Sequence, residues 1–328
     1  MLLDKRHTYK PFSYPFAYDA YKKHEMMHWM PHAVVMTDDI VDWERNLNRG
    51  QKEFLTHLFR FFTQADVSVA SAYGTKLIPL FGGNPEVAMM MLSFGAREAV
   101  HVDAYALLID TLGFPASTYS AFMEYAAMRD KYNFLETINT TTHMDIARSL
   151  AVYSAFTEGM QLYASFAMLM HFERIGKMPG MTNIVRWSIK DEACHAENML
   201  KVFRVFVSEY LSREDAELLE PEIRSVAEKM VGLEDKFIDL AFSVSGIEIN
   251  EGLPPSQKPI TEHELKMYIR HIADYRLQEL GMKPIYGIPQ NPLRWLDDLM
   301  LSPEHANFFE VKPTEYAKGS IDGNITEW

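Results

Sequence analysis

A chain of 328 residues, 48% of them hydrophobic, carries enough apolar material for one large core. Its 45 acidic residues outnumber 32 lysines and arginines, for a formal net charge of −13, which argues against a nucleic-acid surface and for small-molecule or protein partners. The one cysteine, Cys194, excludes an internal disulfide framework and a zinc ribbon and fits a reducing, cytoplasmic compartment.

The N-terminus, MLLDKRHTYK, has charges at Asp4, Lys5 and Arg6 and no apolar run after them, so no secretory signal is expected. The stretch of about 1–40, with Pro11, Pro15 and Pro31, is read as extended. Beyond it, helices are predicted at about 45–74, 86–112, 116–129, 144–174, 181–211, 221–247 and 262–279. Breakers separate them at Pro79, Gly82, Gly83 and Pro85, at Gly113 and Pro115, and at Gly176, Pro179 and Gly180. Alternation with period two is scarce, which makes the chain all-α. The segment 149–170 is long enough to span a bilayer, but Glu158 lies in its middle beside Thr157 and Gln161, so a helix buried in a bundle is expected and no membrane contact. Residues 306–328 combine Pro313, Gly319, Gly323 and mixed charge without apolar periodicity. The expected organisation is one helical domain, 1–305, followed by a flexible tail, 306–328.

Two similar stretches stand out, EAVH at Glu98 to His101 and EACH at Glu192 to His195. At about 100° per residue, Glu98, His101 and Tyr105 share one helical stripe with Met91, Phe94 and Leu108, and Glu192 and His195 share another with Val185, Met199 and Val202. Asp66 falls among Phe59, Phe62, Val69 and Tyr73, and Glu158 falls with Leu162 and Phe166. Each half of the chain therefore offers a helix with one carboxylate followed by a helix with E-x-x-H. An unpaired buried carboxylate costs several kcal/mol, and four would exceed the roughly 5–15 kcal/mol that stabilises a domain. Two divalent cations would balance the four negative charges, and carboxylate with imidazole suits iron or manganese. Such a set is the donor pattern of dinuclear carboxylate bundles. A third copy, EMMH at Glu25 to His28, has no carboxylate helix before it and is read as lying outside the site. Cys194 is read as a small buried thiol, and the 21 methionines as core filler.

At these residues the sequence resembles the small, radical-generating subunit (R2, beta) of class I ribonucleotide reductase, in the ferritin-like superfamily. The resemblance covers most of the chain. It rests on Asp66, on EAVH with Tyr105, on Glu158 with LYASF at Leu162 to Phe166, and on DEACH at Asp191 to His195, and extends to HWMP around Trp29 and EYAKG around Tyr316. It implies an all-α ferritin-like bundle, with a dinuclear metal site in a four-helix core and additional flanking helices. Asp66, Glu98 and His101 would hold one metal and Glu158, Glu192 and His195 the other, with Glu98 and Glu192 bridging. The implied cofactor is two divalent metal ions: di-iron first, di-manganese or mixed manganese–iron as alternatives.

By the same resemblance, an oxygen species activated at the metals oxidises Tyr105, and Leu162 and Phe166 line the radical's pocket. Many family members have phenylalanine where this chain has Leu162. A relay of His101, Asp191 and Trp29 would lead toward the surface and continue through Tyr316 into a large catalytic subunit. That subunit would be docked by the tail, with Ile325 and Trp328 as apolar anchors. A homodimer is implied. No nucleotide-binding motif occurs here, so ribonucleoside diphosphates would be reduced on the partner. The rival enzyme reading is an R2-like di-metal oxidase or oxygenase acting on a small organic substrate, which needs the six ligands but neither Tyr316 nor the Trp29 relay. A metal-storage bundle is the rival from another class.

Overall fold

The apolar stripes fold inward as helices. The structure, a computed structural model, describes residues 1–135, 139–243 and 246–301. Tyr316, Ile325, Trp328 and the tail 306–328 lie outside the described residues. The chain divides into two compact units, Met1–Leu293 and Arg294–Trp328.

Four helical stretches in the first unit form the core: α3 (Arg49–Ala72), α5 (Pro85–Thr111), the pair α7 (His143–Ala151) and α8 (Tyr163–Arg174), and α9 (Pro179–Tyr210). Their starts are set locally. Asn48 accepts the Gln51 amide at 2.8 Å while the Gln51 side chain takes the Asn48 N–H at 3.2 Å, a reciprocal cap that opens α3. Thr142 and Asp145 do the same for α7. Pro85 opens α5 at a position where its missing N–H costs nothing. The start of α9 is held from outside: Asp39 accepts the Gly180 and Met181 amides at 2.7 and 2.8 Å, and Asp42 accepts that of Met178 at 2.7 Å. A Cβ at Gly180 would lie 2.7 Å from Asp39 Oδ2, so this approach requires glycine.

Phe54, Phe59, Phe94, Phe156, Phe166 and Phe172 are fully buried between these helices. Each such side chain contributes about 1.5–3 kcal/mol of transfer free energy. Outside the four, α1 (Pro15–Met26) lies on α5 and α9, and α10 (Arg213–Ser243) packs with α11 (Glu262–Glu279) along α7 and α8. The short helices α2 (Thr37–Val41), α4 (Ile78–Phe81) and α6 (Ala126–Leu135) connect them. In the second unit the described residues form α12 (Arg294–Leu301). No helix among the described residues is long and apolar enough to cross a membrane.

The helix predicted at 262–279 forms over those residues. Four other expectations differ. The helix expected over 116–129 is two 3-10 turns, Ala116–Tyr119 and Ala121–Glu124, followed by α6. The segment 1–40 is not extended, because Pro15 sits in the first turn of α1, where proline is tolerated. The helix begun at Pro221 starts earlier, at Arg213, where Ser212 accepts the Asp215 amide at 3.1 Å. The single helix expected over 144–174 is broken: Val152–Thr157 is π-helical, with Glu158 N–H bonding Tyr153 O at 3.0 Å and Gln161 N–H bonding Phe156 O at 2.9 Å. The Arg276 guanidinium closes this irregular turn, donating to Gly159 O at 2.9 Å and to the Tyr163 hydroxyl at 3.1 Å.

Candidate metal centre

Asp66 on α3, Glu98 and His101 on α5, Glu158 at the break before α8, and Glu192 and His195 on α9 converge, and none is more than 1% exposed. Ligand atoms of Glu98, Glu158, Glu192 and His195 lie within 4.8 Å of one another, and so do those of Asp66, Glu98 and His101. Glu98 is approached from both imidazoles, at 3.4 Å from His101 Nδ1 and 2.9 Å from His195 Nδ1. Glu192 is too, at 3.3 and 3.7 Å. Glu158 meets His195 Nδ1 at 3.3 Å. Both Nδ1 atoms therefore point at the carboxylates, with Glu98 and Glu192 between the rings.

A test of fit is whether these atoms have other work, and they do not. Asp66 Oδ1, both carboxylate oxygens of Glu98, Glu158 and Glu192, and Nδ1 of His101 and His195 have no hydrogen-bond partner. Buried polar atoms are ordinarily paired, so this concentration of orphaned donors fits two bound cations. Electrostatics agree. Burial, then the charge of Glu98, pushes Asp66 well above the usual carboxylate range, and burial likewise raises Glu158 against the pull of the His195 imidazole beside it. Burial works to lower His101 and His195, but the surrounding carboxylates carry both well above the usual imidazole range.

Trp29 and Asp191 adjoin this cluster. The Trp29 indole N–H donates to Asp191 Oδ2 at 2.8 Å, and His101 Nε2 meets the same oxygen at 3.2 Å. The Trp29 ring lies 5.9 Å from that of His101, at 24°. Tyr105 is 1% exposed, with its hydroxyl donating to Ser188 Oγ at 3.3 Å. Burial, then the charge of Asp66, raises its pKa. Leu162 and Phe166 are buried, one at the end of the irregular turn and one on α8. Tyr316 lies outside the described residues.

With this geometry in place, comparison with known proteins is decisive: residues 6–292 match the ribonucleotide reductase small chain family. The chain belongs to that family. Among its relatives, a probable ribonucleoside-diphosphate reductase small subunit of Invertebrate iridescent virus 6 is 43% identical, over 99% of this chain and 98% of its own. Its counterpart in Invertebrate iridescent virus 3 is also 43% identical, over 98% of this chain and 87% of its own. The crystal structure of Streptococcus sanguinis dimanganese(II)-NrdF superimposes with a TM-score of 0.77 at 16% identity, covering 91% of this chain and 99% of that one, a likeness of fold. The protein is thus a ribonucleotide reductase small chain with an all-α, ferritin-like bundle and a buried cluster suited to a dinuclear metal centre.

This ribonucleotide reductase small chain also surrounds its cluster with residues that sequence reasoning missed. Arg97 lies 4% exposed, its Nε 3.6 Å from Asp191 Oδ2 and its Nη1 donating to Trp29 O at 3.2 Å. Burial would raise Asp191, but the hydrogen bond and charge of His101, with Arg97, hold it below its usual value. His24 on α1 is fully buried and meets His195 Nε2 at 3.1 Å. Burial, then the charge of His195, pushes its pKa down to about 2, so the ring is neutral near pH 7. A signal existed for His24, since it continues the Ala17–Ala20 stripe of α1 at a spacing of four. The EMMH pair itself, Glu25 and His28, is exposed.

Proposed function

We propose that this small subunit generates and stores a tyrosyl radical at Tyr105 and passes the oxidising equivalent to a large catalytic subunit that reduces ribonucleotides. Asp66, Glu98 and His101 would hold one metal and Glu158, Glu192 and His195 the other. The ions would be iron, manganese or one of each, and when bound they would activate an oxygen species, which supplies the one-electron oxidising power that tyrosine oxidation requires. Tyr105 would give up one electron and its phenolic proton to that species, and its burial keeps water and reductants from the radical.

The observation that carries this reading is the unbroken contact from His101 through Asp191 Oδ2 to the Trp29 indole. An oxidase acting on a substrate at the metals has no use for a second, outward-leading chain. Asp191 also accepts the outer N–H of His101, which fixes the ring with Nδ1 toward the metal. Beyond Trp29, Tyr316 in the tail carries the transfer into the partner, and residues 306–328 dock it. The working form is a cytoplasmic homodimer.

The test is ribonucleoside diphosphate reduction with a large subunit, comparing the full chain with one truncated after residue 305. The full chain is expected to support turnover; the truncated chain should hold its metals and radical but support none. Turnover by the truncated chain, or oxidation of a small substrate without any large subunit, would overturn the proposal.

A further inference from the structure

His24 does more than fill space beside the cluster. We propose that it is the positioning residue of the metal site built on His195, with its bare Nε2 accepting the His195 Nε2–H so that His195 Nδ1 stays turned to the metal. The inference rests on the metal-site reading above and concerns a residue that the ligand pattern leaves out.

The hydrogen-bond direction follows independently from both ends of a chain of contacts. At the inner end, His195 Nδ1 faces Glu98 and Glu158 at 2.9 and 3.3 Å. A nitrogen that ligates a metal carries no proton, so the proton of a neutral ring sits on Nε2, which faces His24 Nε2 at 3.1 Å. At the outer end, the Ser93 hydroxyl donates its one hydrogen to Glu25 Oε1 at 2.6 Å. Ser93 Oγ must then accept from His24 Nδ1, which lies 2.7 Å away. His24 Nδ1 therefore carries the ring proton and Nε2 is bare. The two arguments meet at the same bond, with His195 the donor and His24 the acceptor. Every donor in the series His195, His24, Ser93, Glu25 points away from the cluster.

The consequence is an inequality between the two ligand imidazoles. His101 donates to a carboxylate, Asp191, at 3.2 Å. His195 donates to a neutral imidazole. An anionic acceptor raises the basicity of a ligating ring more than a neutral one does, so the two halves of the centre differ although EAVH and EACH look alike. The other charged groups near His24 do not replace the contact: Asp191 Oδ1 is 3.6 Å from its Nε2, and Arg97 is turned to Asp191 Oδ2. Phe94 stacks edge-on against the His24 ring at 5.0 Å and keeps its plane in place.

The test is an equilibrium titration of the full-length apoprotein with Mn(II), following the EPR signal of unbound ion, with thermal unfolding to confirm that each variant folds. Wild type is expected to bind two ions. In His24→Leu one of the two dissociation constants should rise about 10–100-fold while the other holds. His24→Gln, whose amide oxygen accepts from His195 and whose NH2 group donates to Ser93, should restore two-ion binding. Wild-type binding by a folded His24→Leu would overturn the inference. So would equal loss in His24→Gln, because ring packing alone would then explain the effect. Should His24→Leu not fold, His24→Gln decides: two ions support the assignment and a lost ion contradicts it. A wild type that binds fewer than two ions would instead overturn the metal-site reading itself.

Discussion

Trp29 donates its indole N–H to Asp191 Oδ2 at 2.8 Å, joining residues 162 positions apart in sequence at the edge of the metal cluster. The same oxygen receives His101, so one carboxylate couples an aromatic near the N-terminus to a ligand on α5. The proposed function gives that carboxylate two roles, orientation of a ligand and connection outward, and substitutions separate them.

Trp29→Phe removes the indole donor and leaves the His101 contact. The number of bound metals should stay at two per chain, while turnover with a large subunit falls to background. Asp191→Asn takes the charge from behind His101 and should weaken metal binding by about 10–100-fold. Mn(II) titration and a reductase assay on both variants check the contrast.

Metal affinity should rise with pH. Asp66, Glu158, His101 and His195 all have raised pKa values in the metal-free protein, so they hold protons at pH values where ordinary carboxylates and imidazoles have lost them. A cation needs those atoms deprotonated, so binding releases protons and weakens as pH falls. Calorimetry in buffers of different ionisation enthalpy should report net proton release. Net uptake would mean that these groups are not the ligands.

The apoprotein should be destabilised by its own site. Four buried carboxylates, of Asp66, Glu98, Glu158 and Glu192, crowd around only two imidazoles in the metal-free protein, so Glu98→Gln, which removes one of the four, is expected to raise its melting temperature. With Mn(II) the order reverses. Wild type gains about 2.7 kcal/mol per site at a free metal concentration 100 times the dissociation constant, and the variant forfeits most of that gain. Thermal unfolding of both proteins with and without metal measures it.

Gly159→Ala, which inside an ordinary helix is favourable, should destabilise this fold by about 1–3 kcal/mol. A Cβ there would lie 2.6 Å from Arg276 Nε, and Arg276 holds the turn that presents Glu158. Urea denaturation checks the stability. Metal titration should show weaker binding at the Glu158 site.

Much of the site was legible because a charge inside an apolar helical stripe is an energetic anomaly visible in one dimension. Asp66, Glu98, Glu158 and Glu192 each interrupt such a stripe, and the structure brings all four together with the two histidines. The break at Glu158 was not legible, since a π turn shifts the register by one residue and leaves the apolar run around it intact. His24 escaped notice for another reason. A neutral histidine costs little to bury when paired, and its partners Ser93 and His195 lie far away in sequence. Proline misled twice in the same way, at Pro15 and Pro221, which lie in the first turn and in the interior of helices.

EPR of protein loaded separately with iron and with manganese, then exposed to an oxidant, reports whether the proposed metal centre oxidises Tyr105. Wild type should give a tyrosyl radical signal with two metals per chain, and Tyr105→Phe should bind the same two metals and give none. An unchanged radical signal in Tyr105→Phe would put the radical on another residue and rule out Tyr105 as its site.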